Sequence, residues 1–103
     1  MMAVTAEMMD VLYLIPKGKE NAVSRAALCA AAGYSDRLTR RIIAQLRDEG
    51  YIIINDQNGK GYYLSDDLDE IEKQYKQDTA RAMAILKRRK YMRKMLKEAG
   101  RPV

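Results

Sequence analysis

Three arginines, Arg37, Arg40 and Arg41, stand close together in the first half of the chain. Guanidinium groups bind phosphate oxygens, and they also donate paired hydrogen bonds to O6 and N7 of guanine. If this segment is helical, its spacing directs the three side chains away from the apolar residues of the same segment. We therefore expect this surface to contact DNA, with a solvated charged face as the alternative.

Five further residues stand where they could assist such contacts. Ser24 and Arg25 are at the predicted start of a short helix, where exposed amides can bind a phosphate oxygen. Ser35 is expected to cap the next helix and, in addition, to contact a phosphate. Asn58 and Lys60 lie beside glycines in a predicted turn, from which they could reach the DNA backbone or minor groove. Their alternative roles are turn formation and solubility.

The composition argues against catalysis and against a bound metal. The chain contains no histidine, which is the commonest general base and metal ligand, and only one cysteine, Cys29. Zinc would need one thiolate combined with carboxylates, a ligand set unlike that of structural zinc sites. We therefore predict a protein that is not an enzyme and that has no catalytic residue, metal or cofactor.

The cellular setting predicted from the sequence is the cytoplasm. A lone cysteine cannot form an intrachain disulfide, which agrees with a reducing compartment, and its apolar neighbours predict that Cys29 is buried. No apolar run approaches the ~18 residues needed to cross a bilayer. The N-terminus also lacks the pattern of a signal peptide. We expect no membrane association.

Two short helices are expected before the arginine cluster. The first runs from about Thr5 to Ile15 and is followed by a loop over residues 17–21. Its apolar positions are Met8, Met9, Leu12 and Ile15. The second helix covers residues 25–32 and ends before Gly33, a residue type that readily adopts the left-handed conformation of a C-terminal cap.

The arginines themselves lie on a third predicted helix over residues 35–49, with Gly50 after its end. Its apolar face is formed by Thr39, Ile42, Ile43 and Leu46. Its opposite side carries Arg37, Arg40, Arg41, Ala44 and Asp48. Because Arg47 is followed by two acidic residues, we expect it to form an internal ion pair rather than a DNA contact.

A β-hairpin is expected to follow this helix. Residues 51–54 form a β-branched run that is too short for a helix, so they are predicted to be a strand. Residues 56–61 contain an Asn-Gly pair, which suits a hairpin turn, and residues 62–64 return as the second strand. Alternation along this second strand places Tyr63 on the opposite face from its two neighbours.

The rest of the chain is predicted to be one long charged helix that ends near Ala99. Residues 66–80 contain six acidic and two basic side chains, whereas residues 81–103 contain nine basic side chains and one acidic one. An approximate heptad, broken at Asp78 and Arg89, is formed by Leu68, Ile71, Tyr75, Ala82, Ile85, Met92 and Leu96.

We expect this long helix to form a homodimer interface. Its acidic start and basic end favour antiparallel pairing, in which residues 66–72 of one chain approach residues 87–94 of the other. The alternative is that the apolar stripe covers the core of its own chain. The basic run at 87–94 also suits nonspecific phosphate binding, although such runs are often only solvated.

Two short helices joined by a tight Gly-containing turn, and then a hairpin, form the outline of a winged helix-turn-helix. The chain resembles the N-terminal DNA-binding domain of biotin-repressor-type regulators over residues 35–50, which end Leu46-Arg47-Asp48-Glu49-Gly50, and again at Gly59-Lys60-Gly61-Tyr62-Tyr63-Leu64. Over most of its length it is similar to small winged-helix proteins of phages and prophages, including the charged tail and Leu14-Ile15-Pro16-Lys17-Gly18. Thr39 stands where the biotin-repressor pattern has an apolar residue, and its methyl group can pack inward.

These features together predict an α+β protein. A winged helix-turn-helix of three helices and a two-stranded wing is expected over residues 1–65, followed by the long helix over residues 66–103. The resemblance implies sequence-specific binding of double-stranded DNA by a transcriptional regulator of a phage or mobile element, without a biotin-ligase catalytic domain. The alternative is a protein-interaction module, for example in phage replication or assembly, and RNA binding is third.

Overall fold

The computed structural model describes residues 4–56, 59 and 61–103. Along the chain its elements are α1 (Ala6–Leu14), a 3₁₀ turn (Lys19–Asn21), α2 (Arg25–Ala32), α3 (Asp36–Asp48), β1 (Ile53–Asp56), β2 (Gly61–Leu64) and α4 (Leu68–Glu98). The chain divides into two units, with the boundary after Ile71. The predicted α+β class with a long C-terminal helix is confirmed.

The first three helices begin at the hydroxyl caps that the sequence predicts. The side-chain oxygens of Thr5, Ser24 and Ser35 each accept a hydrogen bond of 3.1 Å from the backbone N–H three residues later. Helix α2 ends at Ala32 and is capped by Gly33, whose φ of 74° lies in the left-handed region. Because these local signals are strong, the predicted bounds of the three helices are correct to within one residue.

Helices α1, α2 and α3 pack around one hydrophobic core. The four predicted inward residues of α3 are all buried, and Thr39 and Leu46 have no exposed surface. In α1 the prediction was wrong at one position, because Met9 is 49% exposed whereas Val11 is fully buried. The buried members of this core are Met8, Val11, Ile15, Leu28, Ile42, Ile43, Leu46, Ile53 and Tyr62.

The hairpin is antiparallel, as predicted, but its first strand begins later than predicted. Strand β1 covers Ile53–Asp56 instead of residues 51–54, and Ile53 pairs with Leu64 of β2. The backbone N–H of Tyr51 is used at the end of α3, where it donates to the carbonyl of Leu46 at 3.2 Å. Tyr51 therefore completes the helix terminus instead of extending the strand.

Strand β2 buries tyrosines on both of its faces. Tyr62 belongs to the core formed by the helices, and Leu64 packs against that core. Tyr63 lies on the other face in a separate small cluster with Ala22 and Ile54. The alternation predicted for this strand is confirmed.

The edge of β2 that does not pair with β1 is paired with the segment that precedes α2. Val23 and Tyr62 exchange two backbone hydrogen bonds, of 3.0 and 2.7 Å, in an antiparallel bridge. Lys17 forms a parallel bridge with Leu64. These bridges hold the start of α2 against the hairpin, so the hairpin and the first helices form one framework.

Helix α4 starts two residues later than the acidic run suggested. Asp67 is its cap, because its Oδ1 accepts from the backbone N–H groups of Asp69 at 2.9 Å and Glu70 at 3.3 Å. The hydroxyl of Ser65 donates to Glu70 at 2.7 Å. No described residue of α4 is buried. None of the described helices combines the length and apolar character required to cross a membrane.

Candidate nucleic-acid interface

One side of α3 is buried in the core and the other side is exposed. The exposed side carries the predicted residues, namely Arg37, Arg40, Arg41, Ala44 and Asp48. Arg37 and Arg41 are four residues apart, so their side chains lie one above the other along the helix. Within the described part of the chain, neither of these two forms an ion pair or a side-chain hydrogen bond.

Two of the predicted basic residues are instead held by a carboxylate that the prediction did not assign to the site. Asp36, in the first turn of α3, accepts at Oδ1 from Nε of Arg25, which is at the start of α2. Its Oδ2 accepts from Arg40, at 2.7 Å from Nη2 and 3.0 Å from Nε. Only the four-residue spacing of Asp36 and Arg40 could have signalled this arrangement in the sequence.

The charges of this group influence one another. Arg25, followed by Arg40, lowers the pKa of Asp36 below its ordinary value. Asp36, followed by Tyr62, raises the pKa of Arg25. The three side chains are 41–60% exposed, so water screens their ion pairs and these contribute little to stability. Their main consequence is to fix where the two guanidinium groups lie.

Thr39 occupies its apolar position because a neighbouring thiol accommodates its hydroxyl. Its side chain is fully buried, and Sγ of Cys29 lies 3.4 Å from its Oγ1. The same sulfur is 4.0 Å from a carboxylate oxygen of Asp36. The prediction that Cys29 is buried was wrong, because its side chain is half-buried at the junction of α2 and α3.

Arg47 has a structural contact, although not the ion pair predicted for it. Its Nε donates to the carbonyl oxygen of Ile53 at 3.0 Å. Its guanidinium carbon lies 5.9 Å from the centre of the Tyr62 ring, which is within the range of a cation–π interaction. Among the described residues it has no acidic partner within ion-pair distance. Arg47 thus ties the end of α3 to the hairpin.

The hairpin turn is only partly described, and both predicted contact residues, Asn58 and Lys60, lie outside the described residues. Gly61, next to them, has a φ of 118°. A Cβ atom there would stand 2.3 Å from the carbonyl oxygen of Val23. This glycine therefore allows the hairpin to approach the chain's own backbone, directly before the Ser24 cap of α2.

Gln45 is a residue of this surface that the prediction missed. It is exposed and follows Arg41 by four positions on the outer side of α3. A glutamine amide can both donate and accept, and it can form paired hydrogen bonds with N6 and N7 of adenine. The sequence signal for Gln45 was its four-residue spacing from Arg41 on the outer side of the predicted helix.

Comparison with protein-family models, with curated proteins and with solved structures found no match for this chain. The resemblance to winged-helix regulators therefore stays a prediction. In the described part of the chain, no group of three or more His, Cys, Asp and Glu residues is placed to hold a metal ion.

Proposed function

We propose that this chain is a winged helix-turn-helix protein that binds specific sequences in double-stranded DNA and regulates transcription for a phage or mobile element. The observation that carries the proposal is the exposed face of α3. Arg37 and Arg41 lie there side by side and have no ion-pair partner among the described residues, while the opposite face of the same helix is anchored in the core. Such a face offers guanidinium groups to an external ligand at no cost to the fold.

In the proposed complex, the exposed face of α3 enters the major groove with the N-terminal half of the helix leading; the groove is about 12 Å wide and admits a helix. Arg37, Arg41 and Gln45 then face the base edges. Arginine recognises guanine through O6 and N7, and glutamine recognises adenine through N6 and N7. These three residues would therefore supply the choice of sequence.

Arg25 and Arg40 have a different part in this complex. Because Asp36 holds both guanidinium groups at the start of α3, they are less free to adapt to a base edge. Their remaining N–H groups can still donate to phosphate oxygens, which positions the protein without specifying sequence. Ser24 and Ser35 are the N-caps of α2 and α3, so they lie at the helix ends where Arg25 and Asp36 stand.

The test compares Arg41→Ala with Lys17→Ala by measuring affinity for a duplex selected from a random pool, over a range of salt concentrations. Both changes remove one positive charge from an exposed position, but Lys17 lies between α1 and α2. We expect Arg41→Ala to lose about 1–3 kcal/mol on the selected duplex and much less on random DNA, because it loses a base contact. Lys17→Ala should affect both duplexes equally.

The melting temperature should stay nearly unchanged in both variants, since neither side chain has a hydrogen-bonded partner among the described residues. Affinity of the unmodified protein should fall steeply with salt, because bound phosphates release their counterions. A protein that ignores duplex DNA at low salt but binds a partner protein would contradict the proposal and favour an interaction module instead.

A further inference from the structure

Helix α4 presents an apolar seam to solvent. Within the second unit, residues 72–103, the seam includes Tyr75 at 69%, Ile85 at 49% and Met92 at 60% exposure. The seam positions, 75, 78, 82, 85, 89, 92 and 96, recur at alternating steps of three and four, which is the spacing of a coiled-coil seam. A seam of this kind is stabilised when a second helix covers it.

Two charged residues interrupt the seam, and their positions bear on how a second copy of the helix would pair with it. Asp78 and Arg89 both occupy seam positions and carry opposite charges. They lie equally far from the midpoint between Met83 and Ala84, on opposite sides of it. Two pairs of seam residues share the same midpoint, Tyr75 with Met92 and Ala82 with Ile85.

This symmetry distinguishes between the two ways in which identical helices can pair. In a parallel, in-register pair, each seam residue meets its own copy, so Asp78 would face Asp78 and Arg89 would face Arg89. Both layers would then bring like charges together in a partly desolvated seam, which is unfavourable. In an antiparallel pair centred on that midpoint, each Asp78 faces an Arg89, and the pairing occurs twice.

We infer that α4 is the interface of an antiparallel homodimer in which Asp78 of each copy pairs with Arg89 of the other. Tyr75 then packs against Met92, and Ala82 against Ile85, so a small residue meets a larger one at the centre. This register differs by about one heptad from the one that the acidic and basic blocks alone suggest. In that earlier register Asp78 would face an alanine and Arg89 an isoleucine, leaving both charges without a partner.

The flanks of the seam support the same direction of pairing in part. On one flank, Glu72 of one copy lies near Arg93 of the other, and these opposite charges attract. On the other flank, Arg81 of one copy lies near Arg88 of the other, and these like charges repel. Flanking charges are exposed and count for less than seam layers. In the single chain, the hydrogen bond that the described residues give Asp78 comes from the Gln74 amide, at 2.9 Å on an exposed surface. That contact can be exchanged for Arg89 of the second copy.

The experiment is a charge exchange followed by analytical ultracentrifugation of the full chain without DNA. Asp78→Arg and Arg89→Asp should each weaken dimerisation, by roughly 10-fold or more, because each places like charges opposite one another. The double variant, Asp78→Arg with Arg89→Asp, should restore it to within about 3-fold, because the pairs are re-formed with reversed polarity. Circular dichroism should show the same helix content in all variants.

Lys90→Asp is the matched control, since it makes the same charge change one residue away from the seam. It should affect dimerisation much less than Arg89→Asp. In a parallel dimer both layers would hold like charges in every variant, so the single changes would weaken dimerisation little and the double variant would have no loss to restore; that result would overturn the inference. So would a monomer at ~100 μM, where typical dimers are assembled. Because no DNA is present, neither result depends on the proposed function.

Discussion

Asp36 shows how a single acidic residue can belong to a basic surface. It lies in the first turn of α3, where its negative charge is favourable to the helix dipole. It also holds Arg25 and Arg40, so these two side chains are less free to move and the local positive charge is lower. Near a phosphate backbone, its carboxylate would repel the DNA unless both arginines stay beside it. Asp36 thus lowers the affinity of this surface for DNA but keeps the two arginine side chains in a fixed position.

Replacing Asp36 with Asn should therefore strengthen binding to random duplex DNA while reducing discrimination between random and selected sequences. Arg25 and Arg40 would then neutralise phosphates without an acidic neighbour, a net gain of one positive charge, so the slope of log affinity against log salt should become steeper by about 1. Asp48→Asn is the control, because it removes the same charge from the exposed side of α3 without releasing an arginine. An unchanged slope in Asp36→Asn would show that the two arginines do not reach the DNA.

Tyr63 gives a second residue-scale prediction, which concerns stability. Burial, with a smaller effect of Glu70, raises the pKa of Tyr63 to about 12. The unfolded chain releases this proton near its ordinary pKa of about 10, whereas the folded chain keeps it. The contribution is therefore complete below pH ~10 and is lost as the pH rises towards 12.

The measurement is the free energy of unfolding in urea between about pH 9 and 12, compared between the unmodified protein and Tyr63→Phe. The unmodified protein should lose stability more steeply in this window, because only it has the additional titrating group. All other ionisable groups are common to the two proteins and cancel in the comparison. Parallel curves would mean that Tyr63 titrates normally.

At the scale of elements, the contact between β2 and the segment before α2 depends on Gly61. A Cβ atom at this position would approach the backbone carbonyl of Val23 to 2.3 Å, and backbone atoms cannot rotate away as a side chain can. Its φ of 118° is an additional strain for any other residue. A side chain at position 61 would therefore disturb most directly the two hydrogen bonds between Val23 and Tyr62.

Gly61→Ala should accordingly lower the free energy of unfolding by more than the roughly 1–2 kcal/mol expected from left-handed backbone strain alone. Gly33→Ala is the matched control, because Gly33 also has a positive φ, of 74°, but has open space where the Cβ would stand. Urea denaturation of both variants separates the two effects. Equal losses would show that the framework adjusts to the added atom without cost.

The elements also show which features could be predicted from the sequence. Helix starts were predictable because a hydroxyl cap acts within three residues, as at Ser24 and Ser35. The buried face of α3 was predictable from its period. The start of β1 was not, because Tyr51 is used by the preceding helix terminus. The roles of Asp36 and Arg47 were missed because their partners, Arg25 and Ile53, come from other elements.

At the scale of the whole molecule, charge is divided unequally between the two units. Residues 1–71 contain eight basic and eleven acidic side chains, a formal charge of −3, whereas residues 72–103 contain eleven basic and three acidic ones, a charge of +8. The unit that carries α3 is therefore not basic as a whole, and its proposed DNA contacts depend on local placement. The second unit supplies most of the attraction that any polyanion would experience at long range.

The two proposals together make a prediction about the DNA itself. A two-fold symmetric dimer presents two copies of α3, so selection from a random pool should recover inverted repeats. Ile85→Gln should lose the pairing, because it places an amide at the centre of the seam, while net charge stays the same. This variant should select single half-sites with weaker affinity, and a matched change at an off-seam position, Met83→Gln, should still select inverted repeats. Recovery of the same single sites by all three proteins would show that α4 does not assemble the form that binds DNA.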